Sequence, residues 1–194
     1  MNSKLLPLLI AGFLAAPAFA QTAATEVQRD VNQQTRIEAG LKSGQLNTTE
    51  AARLEREQAR ISKTEQSALK DGKLSPREQR KIDRMQDAAS ADIRQQKHDA
   101  QTGNPASASS QRMQADVQRN VNQQTRIENG IKSGELTNHE VARLEKGEAR
   151  ITRKEAAAGR DGHVGAGEQH AIQRTENRES KRIYRQKHDR QVRG

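Results

Sequence analysis

The chain has no cysteine and no tryptophan, and its only aromatic residues are Phe13, Phe19 and Tyr184. Without cysteine there is no disulfide, no thiolate metal site and no lipidated N-terminal Cys. With Tyr184 as the one aromatic residue beyond position 20, there is no stacking platform for single-stranded nucleic acid. Aliphatic residues are scarce as well. Leu, Ile, Val and Phe make up 23 of the 174 residues from Gln21 onward, below the usual share of a globular domain. Ordering a residue costs roughly 1–2 kcal/mol, so a core this small predicts marginal stability. No run beyond Ala16 is long and apolar enough to span a bilayer. The sequence also lacks a nucleophile elbow, a phosphate-binding glycine loop and an HExxH pair, which removes the common routes to catalysis.

What the chain does have is a duplication. Shifted by 90 residues, Val27–Asp99 falls on Val117–Asp189 without a gap, and 38 of the 73 aligned positions are identical. VNQQTRIE (Val31–Glu38, Val121–Glu128) and QKHD (Gln96–Asp99, Gln186–Asp189) repeat unbroken. A period this long is a whole supersecondary unit copied once.

Residues 1–20 read as a signal peptide. Lys4 supplies the positive end, Leu5–Ala16 the apolar stretch and Ala18-Phe19-Ala20 the small-x-small cleavage signal. The expected location is the periplasm or the exterior. The chain carries net charge +9, unevenly spread. Gln21–Ser110 holds 15 Lys/Arg against 13 Asp/Glu, and Gln111–Gly194 holds 18 against 12. The second half is therefore the one expected to meet an acidic partner.

Two glycine turns divide each copy. Ser43-Gly44-Gln45-Leu46 and Asp71-Gly72-Lys73-Leu74 recur as Ser133-Gly134-Glu135-Leu136 and Asp161-Gly162-His163-Val164. Each Gly can end a helix in the left-handed conformation. Capping signals follow at Asn47/Glu50, Ser75-Pro76/Glu78 and Thr137/Glu140. Helices are predicted at 23–42, 48–70, 76–100, 113–132, 138–160 and 166–190, with Ile82, Met85, Ala89 and Ile93 marking one apolar stripe. The fold expected is all-α: two tandem three-helix, up-down-up antiparallel units joined by a flexible linker. The divisions are signal peptide 1–20, repeat one 21–99, linker 100–112 and repeat two 113–194. Gly147, Gly159, Gly165 and Gly167 in the second copy predict that it is the softer one.

Four readings compete for a site. First, the DGxLSxxE turns resemble the back half of an EF-hand calcium loop, with Asp71 and Glu78, or Asp161 and Glu168, as carboxylate ligands. The first and third ligand positions hold Ser67/Leu69 and Ala157/Gly159, which supply no carboxylate. Second, the bundle ends place His98 near Glu50, and His188 near His139 and Glu140, sets that suit zinc, copper or nickel. Third, the repeated polar segments form a duplicated binding patch (Arg36, Lys97 and His98; Arg126, Lys187 and His188) or an interhelical network. Fourth, Arg174, Arg178 and Arg182 recur at i, i+4, i+8 on the C-terminal helix as a face for an anionic partner. The signal segment and the single tyrosine argue against nucleic acid.

The succession RIEAGLKSGQLNTTEAARLE…ALKDGKLSPREQRKI…IRQQKHD resembles a group of small secreted proteobacterial proteins that carry one or two such units. That resemblance implies an envelope or external location and this helical fold, and it brings no activity with it. The expected function is a non-enzymatic binding or structural module for an anionic or protein partner of the envelope, without a cofactor. The alternative is a periplasmic protein that binds calcium or a transition metal.

Overall fold

The computed structural model describes residues 18–189 and Gln191. Most of the expected signal segment, and Arg190 and Arg193 of the basic C-terminus, lie outside the described residues. Every regular element described is helical: α1 (Ala18–Ser43), α2 (Thr48–Ala68), α3 (Pro76–Lys97), α4 (Ala108–Ser133), α5 (Asn138–Ala158) and α6 (Ala166–Lys187). Single 3-10 turns, Leu69–Asp71 and Gly159–Asp161, follow α2 and α5.

Glycine and capping chemistry set the corners. Gly44, Gly72, Gly134 and Gly162 all have positive φ between 74° and 84°, a region costly for residues with a Cβ. Three complete capping boxes start the next helices: Asn47 with Glu50, Ser75 with Glu78, and Thr137 with Glu140. At α6 the box is half made. Gly165 N donates to Glu168 Oε2 at 2.9 Å, and glycine has no side chain to return the bond.

Within each repeat the helices run up, down and up. Parallel α1 and α3 are joined by Gln33 Nε2 donating to the Gln86 carbonyl at 2.7 Å and by Arg36 donating to Ser90 Oγ at 2.6 Å. Antiparallel α2 meets α1 where Gln34 Nε2 donates to Glu55 Oε2 at 3.0 Å.

The two repeats are not independent bodies. α2 packs along α5, and α1 along α4, more extensively than any helix packs inside its own repeat. Both pairs are antiparallel: Lys42 of α1 reaches Gln118 of α4, and Lys132 of α4 reaches Gln28 of α1. Each apolar cluster is consequently a joint product. One combines Val27, Leu69 and Ile82 with Ile127, Leu144 and Ile183; the other combines Ile37, Leu54 and Ile93 with Val117, Ile151 and Ile172. Scarcity of aliphatic residues explains the arrangement, because pooling two thin sets buries each set more completely than two separate units could.

The connection between repeats is shorter than the expected 100–112, since α4 starts at Ala108 with Ser107 as its cap. It is also tied down. Gly103 N donates to the Gly44 carbonyl at 2.8 Å, and a Cβ on Gly103 would lie 2.4 Å from the Leu46 carbonyl oxygen. At the opposite corner, Asn138 Nδ2 donates to the Gly72 carbonyl at 2.8 Å, and the His139 ring bonds the Lys70 carbonyl at 3.0 Å.

Two of the glycines that suggested a weakened second repeat instead make room for larger neighbours. A Cβ on Gly159 would sit 2.5 Å from Met113 Cε and 2.9 Å from Ala52 Cβ. In the first copy the equivalent pair is Leu69 and Ala23, so volume has moved from one residue to the other. A Cβ on Gly147 would fall 2.0 Å from the Glu179 carboxyl carbon; the first copy has Glu57 and Ala89 there, the same exchange in another pair. Gly159→Leu is expected to destabilise the protein by about 1–3 kcal/mol through overpacking. Adding Met113→Ala, which restores the first copy's pairing, is expected to recover most of that loss. Urea denaturation of the double-mutant cycle measures the coupling; additive losses would mean that the two residues do not share one space.

Candidate functional site

The repeated polar segments serve the interior. In VNQQTRIE, Gln33 and Gln34 point inward, with Gln58 Nε2 donating to Gln33 Oε1 at 2.9 Å, and Arg36 clasps both Ser90 Oγ and the Ser90 carbonyl. Arg126 repeats the clasp on Ser180 at 2.7 and 3.1 Å. Arg36 therefore bonds α3 at Ser90, about two turns before Lys97 and His98, so these three do not form one patch through Arg36. In QKHD, His98 and His188 bond the carbonyls one turn back, Arg94 and Tyr184, both at 2.7 Å. The aspartates then accept from Gln101 N at 2.8 Å and Gln191 N at 2.9 Å, which makes QKHD a helix-ending device. Lys187 pairs with Glu135 at 3.2 Å, and the Lys97 stem lies over Gly40.

The acids expected as metal ligands are engaged in turns. Glu50, Glu78, Glu140 and Glu168 each accept from the N–H of their own cap residue. Asp71 and Asp161 accept from Lys73 N and His163 N, both at 3.0 Å. His139 is held against the Gly72 turn of the first repeat, while the His188 ring stacks on Tyr184 with centroids 4.2 Å apart. Among the described residues, the one set of three or more ligand-type side chains whose atoms lie within 4.8 Å of one another is Asp30, Glu65 and Glu145. None of these three was singled out by the sequence.

They belong to a layer of acids enclosed at the centre of the molecule. Asp30 of α1, Glu65 of α2 and Glu145 of α5 are each at most 2% exposed. Gln86 of α3, fully buried, donates from Nε2 to Asp30 Oδ1 at 2.8 Å and Glu65 Oε1 at 3.2 Å. Glu26 lies one turn before Asp30 and is also buried. A related group stands in the corresponding positions of the other copy: Asp116, Asn120, Glu155 and Glu176, with Glu55 contributed by α2. There Asn120 Nδ2 donates to Glu155 Oε2 at 2.7 Å, and Arg119 pairs with Glu176 at 2.8 Å. Desolvation by burial pushes these carboxyls upward: Asp30 to about 6, Glu26, Glu55 and Asp116 to about 7, and Glu145 and Glu176 to about 8. Glu65, Glu148 and Glu155 go well above the ordinary range, driven by burial and then by neighbouring acids.

On the outer side of the second repeat, α5 and α6 form a groove lined by Arg143, Lys146, Arg150, Arg182, Arg185 and Gln186. The same groove in the first repeat is neutralised. There Arg53 lies 3.9 Å from Glu57 and 3.7 Å from Asp92. Positions 57 and 92 become Gly147 and Arg182 in the second copy, which removes two acids and adds a cation. Glu179 beside it is buried and bonded to Arg182 at 2.7 Å. Of the expected C-terminal triplet, Arg182 lines this groove, Arg178 bonds Thr175 at 3.3 Å and Arg174 is exposed beyond it.

No protein-family model, curated protein or solved structure matches the chain.

The acid layer determines how stability varies with pH. For a carboxyl whose pKa is raised on folding, the protonated form is the one the fold favours. Its contribution is complete below the unfolded value near 4 and is lost as pH rises through the folded value. In buffer containing a chelator, the protein is therefore expected to be most stable near pH 5 and to weaken steadily towards pH 8. A loss of a few kcal/mol corresponds to roughly 5–10 °C for a chain of this size. Thermal melts across that range, followed by circular dichroism, check the sign. A Tm that rises from pH 5 to pH 8 would show that these acids are ionised in the folded protein.

Proposed function

We propose that the protein is a non-enzymatic helical binding module of the cell envelope or exterior, and that it engages an anionic partner through the α5/α6 groove. The observation that carries this reading is the exchange of Glu57, Asp92 and Gln95 for Gly147, Arg182 and Arg185 between corresponding grooves. A surface whose Arg53 faces two acids in one copy carries five cations in the other, of which Arg182 is paired to Glu179. Arginine is suited to the task, because its planar fork can grip phosphate or carboxylate oxygens in pairs and it holds its charge at any physiological pH. Rigid placement on two packed helices supports the same reading, since little side-chain entropy beyond the arginines themselves must be lost on binding.

The partner's chemistry is that of clustered surface anions. No helix among the described residues is long and apolar enough to cross a membrane, and the groove has no apolar face to insert into one. Attachment would therefore be electrostatic and reversible, at roughly 1 kcal/mol per cation near an anionic surface. Replacing Arg143, Arg150 and Arg185 with Gln is then expected to weaken binding to vesicles of anionic phospholipid about 100-fold at low salt. The matching change in the first repeat, Arg53 and Arg60 to Gln, is expected to change it by less than about threefold. Vesicle co-sedimentation distinguishes them. Equal losses from the two sets would mean that overall charge is responsible and that the groove is not the site.

A further inference from the structure

The two copies of the acid layer differ in one respect that matters: where their positive charge comes from. In the second copy the Asn120 amide donates to Glu155, and the Arg119 guanidinium lies 2.8 Å from Glu176 as its ion pair. In the first copy, the residue at the Asn120 position is Asp30, an acceptor facing the acceptor Glu65. The equivalent arginine, Arg29, turns outward to Asp83 at 3.2 Å and to Asp87. Asp30, Glu65 and Glu145 thus converge with no cation among them; the Gln86 amide serves Asp30 and Glu65, and the Gln124 amide reaches Glu145 Oε2 at 3.5 Å. Asp30 Oδ2, Glu65 Oε2, Glu145 Oε1 and both oxygens of Glu26 have no hydrogen-bond donor. Neither does Oε1 of Gln86, a fully buried neutral side chain whose amide group is directed into the cluster. Turning that amide over would not help, because the groups it faces there are all acceptors. These buried acceptor oxygens lack what an ion would supply.

We propose that Asp30, Glu65 and Glu145, with Gln86 and Glu26 beside them, hold a hard divalent cation of the calcium type inside the helical body. The donors are all oxygen, which favours calcium, magnesium or manganese over zinc or copper. The three carboxylates offer oxygens within 4.8 Å of one another, close enough for one ion to bridge them, and an enclosed site built from protein oxygens suits calcium better than magnesium, which gives up its water reluctantly. Because Glu145 comes from the second repeat and the other four residues from the first, a bound ion would fasten the two repeats together. One ion per chain is expected: orphan oxygens remain in the other copy, on Asp116, Glu155 and Glu176, but Asn120 there takes the place of one of the three convergent carboxylates and the Arg119 guanidinium lies 2.8 Å from Glu176.

The test uses the full chain, stripped with a chelator at pH 7.5, with calcium, manganese, magnesium or zinc either added to the native protein or present during refolding from urea. The second route is needed because the cluster is enclosed. The expected result is one saturable equivalent of calcium or manganese with Kd at or below about 1 mM, accompanied by a higher Tm. Asp30→Asn, which places there the residue found in the other copy, and Glu145→Gln are expected to weaken binding more than about tenfold while keeping their helical circular dichroism. Glu168→Gln, in a surface cap, should bind as the parent does. The proposal is overturned if no ion binds by either route while both neutral variants melt higher than the parent, for the cluster would then hold protons. Binding that survives Asp30→Asn and Glu145→Gln would overturn it equally, by locating the ion elsewhere.

Discussion

Antiparallel packing of α2 on α5, with α1 on α4 beside it, is the interaction on which the other features rest. A repeat with about a dozen aliphatic side chains cannot enclose a core of its own at the usual cost of ordering a chain. Paired with its copy, each repeat completes an apolar cluster at either end of the shared helices. The duplication is in effect an internal dimer, with the near two-fold symmetry that self-complementary interfaces have. Tethering the halves through ten residues or so makes their association intramolecular, so it does not depend on protein concentration.

Where the two halves meet, the middle of the interface is polar. Gln33, Gln34, Gln58 and Gln86 of the first copy and Gln123 and Gln124 of the second are buried there, between the two apolar ends. Interior amides of this kind define the register of the helices within each repeat, because a shifted helix would strand them without partners. Acids placed in the same layer cost more, and their stability in the fold depends on a proton, an arginine or an ion. The copies have diverged in which of these they supply. They have also traded volume between neighbours, Leu69 and Ala23 against Gly159 and Met113. Pairwise compensation of that sort indicates that both halves were kept as parts of one packed object.

Much of the fold was legible in the sequence, and the reason is local chemistry. Positive-φ glycines, capping boxes and helical periodicity act within a few residues, so six helices and their corners could be placed from sequence alone. Docking of the repeats could not, because an apolar stripe does not say whether its partner lies in the same unit or in a copy 90 residues away. Polar residues on the stripes carried an unused signal. Glu65 stands between Ile61 and Leu69 at steps of four, and Gln86 between Ile82 and Ala89, although apolar spacing alone puts Met85 on the stripe there. In the structure Gln86 is fully buried and Met85 only half so. Charged residues in helices are ordinarily solvated, and that expectation hid the acid layer. The basic face was visible as charge, but its neutralised twin in the first repeat became informative only once α5 and α6 were seen to form a groove.

A shared core has a direct signature in amide hydrogen exchange of the intact protein. If the repeats complete each other, the central turns of α1, α2, α4 and α5 exchange through a single global opening, with matching free energies and the same denaturant dependence. Equivalent amides near Ile61 and Ile151 should lose protection together. Two distinct opening energies, with α4, α5 and α6 exchanging as a set while α1, α2 and α3 stay protected, would contradict the account and restore two independent units.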